Sequence, residues 1–579
     1  MLCFGVKYDQ HKQSGLSPNY LACRIGATGG DQSVHAFDIE TSGNVIRNLI
    51  WNNQSLSRQS ENLDSSTLYP KGKAAISLLE SWLRKCSQTH AKCGARYDFG
   101  FRPTRLIDVG SKGRHPRLVH TAAMSSKAAE YLALSHCWGT NMPSSAKTTL
   151  ETLSQKLTRI RIRKLPRTFQ DAIAVTRRLG IKYLWIDSLC IIQDSHEDWQ
   201  LESALMGKIY SHCYCTLAAA ASLDCHGGLF ARRSELAVLG TGSPAALYPA
   251  VLLKSTYGGW DEIFSRSPLN SRGWTLQERE LSPRMIYFTK HTMLFECRRA
   301  RGGERGESRG QAAVRCGKEE LVPKTLLNSV HSQRCMDEFP LDGESGDNLQ
   351  WRTKQRYNAW RKMVQGYSQR HLSVSSDKFP GLSGLASELS FLLNDQYVAG
   401  LWKRDIISGL SWSYAYEKGT NTTPQSSYGP SWSWAKMNVP INYDLVRPYH
   451  RVAQDSVIPE PSWQDWQDPV LLNASTVPAG RDPNGTLISA FLQFWGQITP
   501  MRWSKTGTCV IQGESIPVIW DFLPQSTSDF FLFSLGRIKT GLVLVQDPMY
   551  ETTYRRVGIV SDIKLNWFRD TVLQSIKLV

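Results

Sequence analysis

The stretch "KYLWIDSLCIIQDSHEDW", residues 182–199, runs apolar into Asp187 and then breaks. An aspartate there has two uses. It can cap the backbone of the next turn, or it can present a carboxylate at a strand end, where open α/β sheets collect ligands. Three residues on, Cys190 has the ingredients of a nucleophilic trio with His136 as base and Asp187 as orienting acid. Cys190 nevertheless sits inside the apolar run "LCII", where an inert buried thiol is expected. Metal chemistry has two further candidate sets. Cys86, His90 and Cys93 recur on one helix face, the geometry of a partial zinc site, but no convincing fourth ligand accompanies them. Two thiols and a histidine continuing an apolar stripe explain the same pattern. His212, Cys213, Cys215, Cys225 and His226 lie close in sequence, yet Cys213 and Cys215 fit a buried strand without zinc. The sequence therefore assigns no metal site.

The elements that would position these residues are legible between 131 and 221. "YLALSH" (131–136) reads as a buried strand ending at the glycine turn "CWGT". Pro166 and Thr168 open a helix, with Asp171 in capping-box spacing, and Gly180 supplies its stop. Residues 182–187 form a second strand. Ser195 and Asp198 repeat the capping-box spacing before a helix whose inner side carries Trp199, Met206, Ile209 and Tyr210. "CYCTLAAAA" (213–221) is a third strand, apolar throughout. Strand alternating with helix predicts an α/β fold built on an open, mostly parallel sheet covered on both faces. Ser135, His136 and Trp138 then leave the first strand, and Asp187 the second, at the ligand-collecting end. Further on, residues 271–288 read as a short helix running into a strand, with 292–297 completing a hairpin.

The 579 residues suggest several domains, and the apolar content is ample for cores. Residues 1–70 read as irregular, 71–130 as a helical lead-in, 131–300 as the α/β domain, 301–348 as a flexible insertion, and 349–579 as an accessory β-rich or mixed region. The longest apolar runs fall well short of the roughly 18 residues that span a bilayer, and the N-terminus shows no secretory pattern, so an intracellular, cytoplasmic protein with reduced cysteines is expected. The net charge of +17 includes basic clusters such as "RIRIRK", but these lack interleaved aromatics for stacking bases. A solvated basic surface is expected in preference to a nucleic-acid interface.

Three blocks, "YLALSHCWGT", residues 165–210, and "RGWTLQERELSPRMIYF", resemble the heterokaryon incompatibility (HET) domain proteins of filamentous fungi. His136 stands where that family more often shows tyrosine. The resemblance implies participation in non-self recognition and programmed cell death, through a signalling or assembly module with protein partners or self-association. It also implies a distant likeness to TIR domains, and with it a TIR-like or flavodoxin-like three-layer core. Some TIR domains cleave NAD with a glutamate four residues after a tryptophan, the interval of Trp274 and Glu278. By that analogy Glu278 is the catalytic carboxylate, while Ser135, Trp138, Gly139, Asp187 and Trp274 line the site. NAD enters as a possible substrate, and no resident cofactor is implied. No Gly-x4-Gly-Lys-Ser/Thr motif occurs in the sequence.

Overall fold

The structure, a computed structural model, describes residues 73–94, 100–111, 113–124, 130–231, 266–290, 292–304, 346–414, 428–445, 467–503, 509–521 and 529–579. The irregular segment read over 1–70 and most of the insertion read over 301–348 lie outside the described residues.

Strands β1 (Arg105–Asp108), β2 (Arg117–His120), β3 (Tyr131–Ser135), β4 (Tyr183–Trp185), β5 (Cys215–Ala218), β6 (Arg284–Phe288), β7 (Met293–Cys297) and β8 (Arg301–Gly303) form one sheet. Their order is β2-β1-β4-β3-β5-β6-β7-β8. The central four run parallel, whereas β1 and β2 on one side and β7 and β8 on the other run antiparallel to their neighbours. The sheet is thus mixed and less parallel than the sequence suggested. Residues 71–130, read as a helical lead-in, contain helix α1 (Lys73–Thr89) and also the edge strands β1 and β2. These two pair as a hairpin and need no crossover helix.

Every residue of β3 and β5 is buried, which is why these strands read as unbroken apolar runs. Helices α2 (Leu150–Thr158) and α3 (Arg167–Arg178) lie between β3 and β4, and α4 (His196–His212) lies between β4 and β5. The chain leaves β3 toward one side and returns past it to β5 on the other. That reversal makes the carboxyl end of β3 a topological switch point, the usual ligand position in such sheets.

The expected caps form only in part. Ser195 Oγ accepts from the Asp198 amide at 3.2 Å and caps α4, while the Asp198 carboxylate is drawn away to Arg105 at 2.5 Å. Pro166 occupies the cap of α3, with no side-chain hydrogen bond. Thr168 and Asp171 accept instead from the amides of Gly228 and Leu229, both at 3.1 Å. Tertiary partners have displaced the local ones. Gly180, with φ of +71°, supplies the left-handed residue that ends α3.

The accessory region begins with α6 (Gly346–Ser368) and α7 (Pro380–Leu393); α5 (Trp274–Leu281) precedes β6. Helix α4 packs on both α5 and α7. Beyond α7 lies a second, largely antiparallel sheet built around the long strand Leu487–Trp503. Arg556, fully buried, fastens this sheet to the segment before it. It pairs with Asp521 at 2.8 Å, donates to the carbonyls of Leu410 and Trp412, and lies over the Trp412 ring. No helix among the described residues is long and apolar enough to cross a membrane.

The α4–α7 crossing is tight because glycines meet there: a Cβ on Gly207 or on Gly384 would stand 2.6 Å from the other's Cα. Gly384→Val should push the helices apart and destabilise the fold by about 1–3 kcal/mol. Chemical denaturation checks this, and an unchanged midpoint would show that the crossing is loose.

Candidate functional site

Side chains alternate along β3, so its last residues point to opposite faces. Tyr131, on one face, donates its hydroxyl to the Ile209 carbonyl of α4, and Ser135 shares that parity. His136 turns to the other face, its ring meeting Phe169 of α3 edge-on at 5.0 Å. The chain then passes Cys137 and Trp138 to Gly139. A glycine is required there: φ is +73°, and a Cβ would lie 2.4 Å from that of Asp224.

Asp187 begins a four-residue helical turn directly after β4. One carboxylate oxygen accepts from the Ser188 amide at 2.7 Å, and the other accepts from Trp138 Nε1 at 2.7 Å. The His136 ring nitrogen Nδ1 stands 3.9 Å away. Asp187 therefore both holds the amide that follows it and joins the β3 end, with 16% of its side chain open to solvent. Trp138 is half-buried and Gly139 exposed, so this part of the cluster reaches the surface.

Glu278 lies deeper, 3% exposed on α5. Burial raises its carboxyl to about 7; the Arg272 charge and the nearby Ser135 and Tyr210 hydroxyls oppose that rise, and the Asp187 charge reinforces it. The two carboxylates therefore share one electrostatic neighbourhood. Tyr210, on α4, donates to the Leu134 carbonyl at 3.2 Å, and burial holds its hydroxyl well above the usual phenol range. His136 is pushed down to about 4 by burial, with Asp187 opposing and Arg272 assisting, so it is neutral at pH 7. The Ser135 and Tyr210 hydroxyls lie within hydrogen-bonding reach of the Glu278 carboxyl, while His136 Nε2 is a buried atom with no hydrogen-bond partner. Leaving one such group unsatisfied costs about 1–3 kcal/mol.

Arg279 and Arg284 are committed elsewhere, while Arg272 bears on Glu278 through its charge. Arg279 pairs with Glu296 at 3.2 Å, and Arg284 donates to Cys86 Sγ and the Tyr214 carbonyl. Arg272 donates to the His136 carbonyl. Trp274 does not join the cluster through any hydrogen bond: its indole donates to Asp377 of the accessory region at 3.0 Å. The helical interval of Trp274 and Glu278 is present, but the tryptophan is turned toward the accessory region. Cys190 is fully buried and its thiol pushed up to about 12 by burial, which removes it as a nucleophile at neutral pH.

Arg272 and Tyr210 were not singled out as site residues from sequence. Arg272 heads the "RGWTLQE" block and Tyr210 sits on the inner face of a helix, so both looked structural. Chemically, the cluster offers a surface carboxylate and indole above a buried neutral histidine and a carboxyl poised near neutrality. Such a set can hold a polar ligand and exchange a proton with it.

The mixed sheet with a polar cluster at its switch point places the chain among α/β domain proteins. Residues 131–278 match the family model described as Heterokaryon incompatibility protein (HET). The match starts at the first residue of β3 and ends at Glu278, so the chain carries a HET domain spanning the whole cluster. No curated protein and no solved structure matches the chain.

Because the folded carboxyl of Glu278 titrates above its ordinary range, its contribution to stability is complete at low pH. That contribution is lost as pH rises from about 4.5 toward 7. Glu278→Gln should flatten this part of the stability–pH profile and leave the variant more stable than wild type above pH 7. Thermal melts across the range check this; parallel profiles would mean that Glu278 titrates normally.

Proposed function

We propose that this protein acts in incompatibility-type signalling, its HET domain being the effector and the adjoining accessory segment a restraint on it. One observation carries the reading. The limb that bears Arg272 and Glu278 is held by residues 370–384 while Glu278 itself is shut from solvent. Arg370 donates to the Arg272 carbonyl, to Thr275 Oγ1 and to Asn270 Oδ1. The Gly273 amide donates to the His371 carbonyl at 2.9 Å, Trp274 donates to Asp377, and Gln277 Oε1 accepts from the Gly384 amide. A partner or second copy that displaced this segment would free the limb, expose the cluster and turn a closed module into an open one. The family match supports the broader setting, heterokaryon incompatibility.

A second reading is favoured by the grouping of Ser135, His136 and Glu278 at the end of β3, whose polar atoms suit a ligand's hydroxyl or phosphate oxygens. In it, the opened site cleaves NAD. The C–N bond to nicotinamide breaks, the developing positive charge on the ribose is stabilised by the Glu278 carboxylate, and water adds to the sugar. Asp187 and Trp138 would bind the sugar at the surface.

Both readings are tested with wild type, Arg370→Ala, and Arg370→Ala combined with Glu278→Gln. Expression in a filamentous fungus should give growth arrest from Arg370→Ala that exceeds wild type and is lost in the double variant at equal soluble protein. Equal growth for wild type and Arg370→Ala would remove the restraint. In vitro, nicotinamide release by Arg370→Ala that the double variant lacks supports cleavage. Arrest without any such release supports assembly alone.

A further inference from the structure

The partial cysteine–histidine pattern of the first described helix acquires a fourth member in three dimensions. Cys86 lies in the last turn of α1, and His90 follows the helix end directly, its amide donating to the Cys86 carbonyl at 3.0 Å. Cys93 follows on the next helical turn, Ala91–Gly94, whose entry is fixed by the bond from the Cys93 amide to the His90 carbonyl at 2.9 Å. Cys297, the last residue of β7, arrives from 207 positions beyond His90. One ligand atom from each of the four lies within 4.8 Å of every other, and the three cysteines are buried. His90 Nδ1 stands 3.3 Å from Cys297 Sγ. Ligand atoms about 2.0–2.3 Å from a shared ion sit at separations of this size when the ion is tetrahedral.

A second set of observations points the same way. Hydrogen-bond donors converge on the sulfurs: Arg284 Nε on Cys86 at 3.3 Å, and the amides of Arg299 and Ala300 on Cys297 at 3.4 and 3.2 Å. A thiol is a weak acceptor, and donors gathered around it stabilise the thiolate that a metal requires. The cysteines are free thiols, not disulfide partners.

We propose that Cys86, His90, Cys93 and Cys297 form a structural zinc site. Three thiolates and one imidazole make a soft, four-coordinate set that selects zinc over the oxygen-seeking cations. With all four positions supplied by protein, no coordination place is open for substrate, so the role is structural. On binding, each thiol releases its proton to solvent and the imidazole binds neutral. The ion ties α1, which precedes the HET match, to β7, which follows it, closing the domain's flanks on each other. The site is independent of the reading given to Glu278.

The test uses the full, untagged chain. Elemental analysis should give about one zinc per chain, and replacement by cobalt(II) should give the intense visible spectrum of tetrahedral thiolate coordination. Cys297→Ser should lose the metal, His90→Cys should keep it with a shifted cobalt spectrum, and Cys509→Ser, at a buried thiol outside the cluster, should keep it unchanged. Wild-type protein with far less than one metal per chain, an octahedral cobalt spectrum, or a disulfide among the four residues would overturn the proposal. Should Cys297→Ser not fold, the wild-type metal content and cobalt spectrum decide alone.

Discussion

The Arg272 guanidinium donates to the carbonyl that ends β3, and its own carbonyl accepts from Arg370. This one residue joins three parts of the molecule: the switch point of the sheet, the helix that carries Glu278, and the accessory segment behind it. Its charge also bears on both titratable groups of the cluster, lowering His136 and opposing the rise of Glu278. With Arg272 in place, the carboxyl end of β3 cannot move without α5, nor α5 without residues 370–384. Burial of that assembly is costly, since His136 Nε2 remains without a partner beneath it. Close packing at Gly207 and Gly384 and the apolar sheet around it offset that cost.

The consequence is a domain whose surface and interior chemistries are separated. Asp187, Trp138 and Gly139 reach solvent, whereas Glu278 and His136 do not. The opening proposed above would need a discrete event, because helices packed glycine to glycine have few intermediate positions. The four-ligand cluster joins the end of α1 to β7 of the same sheet.

Much of the central architecture was legible because its signals are local. The unbroken apolar runs of β3 and β5 announce strands buried on both faces, and the glycine at 180 announces the end of α3. Asp187 was placed correctly at a strand end, where its carboxylate accepts from the Ser188 amide and from the Trp138 indole. What escaped the sequence was decided at long range. The Trp274 indole follows Asp377, 103 residues away, and not the helical interval it shares with Glu278. The capping box of α3 gave way to amides of residues 228 and 229. Cys297 has no spacing relation to Cys86, His90 and Cys93, so their fourth partner could be found only in the folded chain. The β6–β7 hairpin was legible, but the β1–β2 edge was missed because its four-residue strands carry too few positions to show a period.

The most direct test of this account is hydrogen exchange, followed by mass spectrometry, on the full chain and its Arg370→Ala variant. Loss of the Arg370 bonds should speed exchange selectively in residues 272–281 and at the β3 end, 135–138, and leave the strands 530–534 and 540–547 unchanged. Exchange in 272–281 that is the same in both proteins would contradict the account, since α5 would then be held by the sheet alone.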